Sequence, residues 1–149
     1  MALDISDHRL LALWAVDCAE RVLPFFEEAH PDDDRPRKAL EAARAWVRGE
    51  VRVGEVRTAA LAAHAAARAA DGADAARAAA RAAGQAAGTA HVPGHAAAAA
   101  TYASTAVACA AAVEECAWQL ARLPEHLRPV GFPARTEGPK GSTRLLRVR

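Results

Sequence analysis

Cysteine, aromatic and large aliphatic side chains are scarce in this 149-residue chain. Its three cysteines, Cys18, Cys109 and Cys116, are too few and too scattered for a disulfide framework or a CxxC metal clip. Each falls in an apolar helical pattern, so buried free thiols are expected, which suits a reducing cytoplasm. Aromatics make up 5 % of the residues. The hydrophobic driving force therefore falls on Leu10, Leu11, Trp14, Val22, Phe25, Phe26, Leu40, Trp46, Leu61, Tyr102, Val113, Trp118 and Leu120. The N-terminus has acids at Asp4 and Asp7 and no basic segment before an apolar stretch, so a signal peptide is not expected. Residues 96–113 lack charge, which raises a membrane question. They are alanine and small polar residues rather than leucine or phenylalanine, so insertion would gain little, and a central buried helix is expected instead.

What is abundant is alanine, 43 residues of the 149. Alanine is the strongest helix former and buries little surface. The pattern predicts an all-α fold, a compact bundle of about five closely packed helices with a thin core, in which homodimerisation is one route to further stability. Net charge is +1, too little to draw nucleic acid. A mildly acidic body, residues 1–128, precedes a basic stretch, 129–149, that holds Arg135, Lys140, Arg144, Arg147 and Arg149 against Glu137. With its Pro and Gly and no apolar period, that stretch is expected to be a flexible tail on a single helical domain.

Ser6 is a plausible N-cap for a first helix whose Leu11, Trp14, Cys18, Val22 and Phe25 recur at steps of three and four. Pro24 should end or kink it. HPDDDRP (30–36) is then a loop, with Asp33 or Asp34 capping a second helix, Pro36 in its first turn and Gly49 as its stop. A short connector leads to a third helix, from about Glu55 to Ala70. DGAD (71–74) separates it from a fourth, which runs from Ala75 to about His91. Gly84 and Gly88 there suggest close helix–helix approach. After Pro93-Gly94 a long fifth helix is expected from about His95 to Arg122.

Several polar residues stand where apolar ones belong. Asp17 and Arg21 fall in or beside the buried stripe of the first helix, at the i,i+4 spacing and acid-first order that favour an ion pair. An arginine there is costly unless paired. Capping explains the acids and proline of the 32–36 stretch but leaves Arg35 idle. One reading is a structural Asp17–Arg21 brace; the other is a polar pocket that Asp34 and Arg35 also reach. Trp46 belongs to the inner stripe of the second helix. His64 shares a face with Arg57, Leu61 and Arg68, while His91 and His95 flank the Val-Pro-Gly break. Two histidines four apart could share a metal, but Pro93 disturbs the helix between them and no carboxylate accompanies them. Capping or core histidines are expected, with no metal and no cofactor. Glu114 and Glu115 read as a solvated face.

Catalytic signatures are weak. GPKGST (138–143) has the order Lys-Gly-Ser, not Gly-Lys-Ser, and no strand precedes it. No GxSxG nucleophile turn occurs.

The segments DHRLLALWAVDCAERVLPFFE, PDDDRPRKALEAARAW, AARAAGQAAGTAHVPGHAAAAATYA and ECAWQLARLP resemble the immunity-protein-five-like family, over roughly residues 6–124. These are small alpha-helical immunity proteins of bacterial polymorphic toxin systems. The most specific pieces are DCAERVLP, the Asp-Arg-Pro step with its following tryptophan, and TAHVxxH. They map to Asp17, Cys18, Glu20, Arg21, Asp34, Arg35, Pro36, Trp46, His91 and His95. The resemblance implies a cytoplasmic protein that binds and neutralises a cognate toxin without chemistry of its own. The alternative is a small-molecule-binding or catalytic helical protein using a polar cluster of Asp17, Arg21, Arg35, His64, His91 and His95.

Overall fold

The computed structural model describes residues 2–70, 74–107 and 112–133. Among these described residues there are seven α-helices: α1 (Ile5–Ala29), α2 (Arg35–Val47), α3 (Val53–Ala69), α4 (Asp74–Gly88), α5 (His95–Ala106), α6 (Ala112–Arg122) and α7 (Arg128–Gly131). A 3-10 turn, Glu125–Leu127, precedes α7. The expectation of an all-helical chain holds, and no strand occurs among the described residues. The expectation of five helices is corrected to seven.

Two local causes account for the difference. The segment expected as one long helix from His95 to Arg122 is two, because the backbone turns extended at Val107, which caps α5. Residues 108–111, including Cys109, lie outside the described residues. A short seventh helix follows Pro124, with Pro129 in its first turn, where a missing N–H costs nothing.

Helix α1 runs through Pro24 to Ala29 instead of ending there. Pro24 lies on the exposed face, whereas Leu23 and Phe26 beside it are buried, so packing holds the helix together across the lost hydrogen bond. Its N-cap is Asp4, whose carboxylate accepts from the Asp7 N–H at 2.8 Å, in place of Ser6. Asp34 stands at the N-cap of α2 without a side-chain cap bond, and Asp33 accepts from the Arg35 N–H at 3.2 Å. Gly49 takes a positive φ of 76°, the left-handed conformation that lets the chain leave α2 without strain.

The central helix is α4, not the charge-free segment after residue 95. It packs against α1, α2, α3 and α5, and Ala76, Ala79, Ala80, Ala82, Ala83, Ala86 and Ala87 on it are buried. The alanines on its buried faces are what allow one helix to take four close neighbours. The larger buried side chains of the core are Leu11, Trp14, Val22, Phe26 and Leu40 as expected, with Val16, Leu23, Leu123 and Leu127. Leu10, Phe25, Leu61 and Leu120, expected inside, are each more than two-fifths exposed. The side chain of Val113 is outside the described set. Cys18 is buried as expected, and burial pushes its thiol pKa well up; Cys116 is exposed.

Residues 129–133 fold back on the bundle. Gly131 is buried, and a Cβ there would meet the Trp14 ring at 3.1 Å. Phe132 packs edge-on to Trp14 with ring centroids 5.4 Å apart. The remainder of the basic stretch, 134–149, lies outside the described residues.

Candidate functional site

Asp17 and Arg21 on α1 are partly exposed, and each finds its partner on α6 rather than in the other. Arg21 Nη2 lies 3.0 Å from Glu115 Oε2, and Arg122 Nη2 donates to Asp17 Oδ2 at 3.0 Å. Glu115 is 2 % exposed, so the expectation of a solvated Glu114–Glu115 face fails at Glu115. A buried carboxylate needs its lone pairs filled. Besides Arg21, the Gln119 amide nitrogen stands 3.2 Å from Glu115 Oε1. That nitrogen also reaches Ala100 O at 3.1 Å and Ser104 Oγ at 3.3 Å, joining α6 to α5. Trp14 Nε1 donates to the Gln119 carbonyl at 2.7 Å, joining α6 to α1.

Above this buried layer sits Trp118. The Arg21 guanidinium carbon is 4.0 Å from its ring centroid and that of Arg122 is 4.9 Å away, both within cation–π range. Asp17, Glu20, Arg21, Trp118 and Arg122 enclose a shallow depression of about 270 Å³. The polar ridge continues along the α1–α2 seam. Arg44 pairs with Glu20, and Arg37 donates to Glu27 through Nε at 2.9 Å and Nη2 at 2.5 Å. The Arg37 hydrogen bonds hold the Glu27 carboxyl below its ordinary range. Arg37 and Arg44 are thus interhelical ties.

The other sequence candidates do not join this site. Arg35 forks onto its neighbour Asp33, at 2.9 Å from Nε and 2.7 Å from Nη2, and holds that carboxyl low; it does not reach Asp17 or Arg21. Asp34 pairs with Lys38 at 3.0 Å on the surface. Trp46 meets the His8 ring edge-on at 4.9 Å, and His8 Nε2 donates to the Thr89 carbonyl at 2.5 Å, because a carbonyl can only accept. His64 and His95 lie over consecutive turns of α4. A Cβ at Gly84 would stand 2.7 Å from the His64 ring, and one at Gly88 3.1 Å from that of His95. The two glycines make room for imidazoles. Burial first, then Arg81, Arg68 and His95, lower the His64 pKa; burial and His91 lower that of His95. His91 is exposed. Among the described residues no three His, Cys, Asp or Glu side chains gather as a metal-binding set.

A second concavity is an open groove of about 810 Å³ between α5, α6 and α7, floored by alanines and bordered by Thr101, Ser104, Cys116, Gln119 and Phe132. No described helix is long and apolar enough to cross a membrane.

Glu115, Trp118, Gln119 and Arg122 share one face of α6, at steps of three, one and three. That spacing was the available signal for a constellation that the sequence reading missed.

Residues 1–126 match the family model described as "Imm-5 like putative immunity protein". No curated protein and no solved structure matches the chain.

Proposed function

The chain belongs to the Imm-5-like immunity protein family, and on that footing we propose that it binds and neutralises a cognate bacterial toxin in the cytoplasm, as the immunity half of a polymorphic toxin system and without chemistry of its own. The observation that supports a binding role is Trp118, clamped against two guanidiniums that carboxylates already hold in place. Tryptophan and arginine are over-represented among the residues that carry binding energy. Side chains fixed before association lose less entropy when a partner arrives. The neighbouring Glu20–Arg44 and Glu27–Arg37 pairs add a rim of mixed charge that favours one partner orientation over others.

Co-expression with a candidate toxin, taken from a toxin-domain reading frame adjacent to this gene, is the test. The wild-type chain restores growth, whereas Trp118→Ala and Arg122→Ala fold normally but protect at least about tenfold less well. Full protection by both variants would remove the ridge from the toxin interface.

The groove between α5, α6 and α7 favours a second reading, a small-molecule site with Ser104, Thr101 and Gln119 supplying hydrogen bonds from an alanine-lined floor. None of Asp17, Arg21, Arg35, His64, His91 and His95 lines this groove.

A further inference from the structure

The exposed side of α3 carries apolar and basic side chains together. Elsewhere Arg21, Arg37, Arg44 and Arg122 are tied up by carboxylates. On α3, Val53, Arg57, Leu61 and Arg68 follow one another at steps of four, four and seven, which places them in a single stripe of the helix. Leu61 is 62 % exposed, more than any other described large apolar side chain, and Val53 is 44 % exposed. Arg57 and Arg68 are exposed, and neither has a carboxylate within ion-pair distance among the described side chains. The one acid of the helix, Glu55, is used at its start, where its carboxylate accepts from the Arg52 N–H at 3.0 Å. Because α3 packs on α2 and α4, it is an edge helix, and this stripe is exposed except at His64, whose ring turns onto Gly84 of α4.

We propose that the α3 stripe is a docking face for an acidic amphipathic helix of a partner protein. Apolar side chains alternating with exposed cations along one helix are complementary to a second helix whose seam is apolar and whose flanks carry glutamate or aspartate. Arg81, which stands close enough to lower the His64 pKa, extends the positive charge onto α4. Nucleic acid fits poorly, because Leu61 and Val53 interrupt the cations and two or three arginines neutralise too few phosphates. The face is separate from the Trp118 depression, which α1 and α6 build, so it would serve a contact additional to the one proposed there.

The probe is a fluorescein-labelled helical peptide of about three heptads with leucine at the seam and glutamate at the flanks. A lysine-flanked counterpart serves as control, and both are titrated by fluorescence anisotropy against the full chain. The glutamate peptide binds and the lysine peptide does not. Arg57→Glu/Arg68→Glu and, separately, Leu61→Ser each weaken binding at least about tenfold, while circular dichroism melting is unchanged because all three residues are exposed. Trp118→Ala binds the peptide as the wild type does, which separates this face from the ridge. Failure of the glutamate peptide to bind, equal binding of the lysine peptide, or unaffected variants would overturn the proposal. So would a Leu61-dependent dimer in sedimentation, since a second copy would then be what covers the stripe.

Discussion

Glu115 and Arg21 form an ion pair at 3.0 Å whose two ends live in different solvents: the carboxylate is 2 % exposed and the guanidinium 41 %. The asymmetry makes the two single deletions unequal. Removing Arg21 strands a buried charge, held then by the Gln119 amide alone, and should cost about 2–3 kcal/mol. Glu115→Gln keeps the shape and leaves a guanidinium that can turn to water, at a cost of about 1 kcal/mol. Urea denaturation of both variants, with the double mutant completing the cycle, checks the order. Equal costs would mean that Glu115 is wetter than its burial indicates.

Asp17 and Arg35 behave differently from what their sequence positions suggest. Asp17 is 35 % exposed and its partner Arg122 50 %, while Arg35 is occupied two residues away by Asp33. Asp17→Ala and Arg35→Ala should each cost at most about 1 kcal/mol, and their effects should add, since they share no partner. Thermal melts of the two singles and the double measure this. A severe loss at Asp17, coupled to that at Arg35, would restore a buried Asp17–Arg21 brace that Arg35 reaches.

Alanine content, the 3.6-residue period and the Pro and Gly punctuation made the helical class and the α2 boundaries legible. Pro24 misled because the local rule against proline inside a helix was outweighed by the burial of Leu23 and Phe26, a tertiary effect. The site was half legible. The stripe position marked Asp17 and Arg21 as unusual, but an i,i+4 spacing inside one helix cannot show that a later helix will supply both counter-charges. Arg122 is 105 residues from Asp17 in sequence, and only packing brings them together. Gly84 and Gly88 signalled close approach correctly, yet what approaches is a pair of imidazole rings rather than a helix backbone.

The Phe132–Trp14 contact gives residues 129–133 a structural role. A chain ending at Arg128 loses that edge-on ring pair and the Gly131 packing against Trp14 and Leu123, while one ending at Pro133 keeps both. The shorter chain should be less stable than the longer by about 1–3 kcal/mol. Differential scanning calorimetry of the two truncations decides it; identical melting temperatures would show that the contact contributes nothing.

The glycine notches of α4 connect packing to pH. A methyl group at Gly84 would press on the His64 ring at 2.7 Å, so Gly84→Ala should cost about 1–3 kcal/mol through overpacking, and much less in a His64→Ala background, where the ring is gone. The same enclosure keeps His64 and His95 neutral: burial disfavours the imidazolium, and Arg81 and Arg68 around His64, with His91 near His95, disfavour it further. Both folded-state pKa values therefore lie below the ordinary value near 6.5 that the unfolded chain displays. As pH falls through that value the unfolded state takes up protons that the folded state refuses, so stability is complete above about pH 7 and declines as the medium acidifies toward the folded-state values. The carboxylates held low by arginine, at Glu27 and Asp33, add a second loss only in the more acidic carboxylate range. Urea midpoints measured between about pH 7.5 and 5 should fall steadily in the wild type and much less in His64→Gln/His95→Gln. A flat wild-type profile, or an equal slope in the double variant, would mean that these rings are charged, or free to become so, inside the fold.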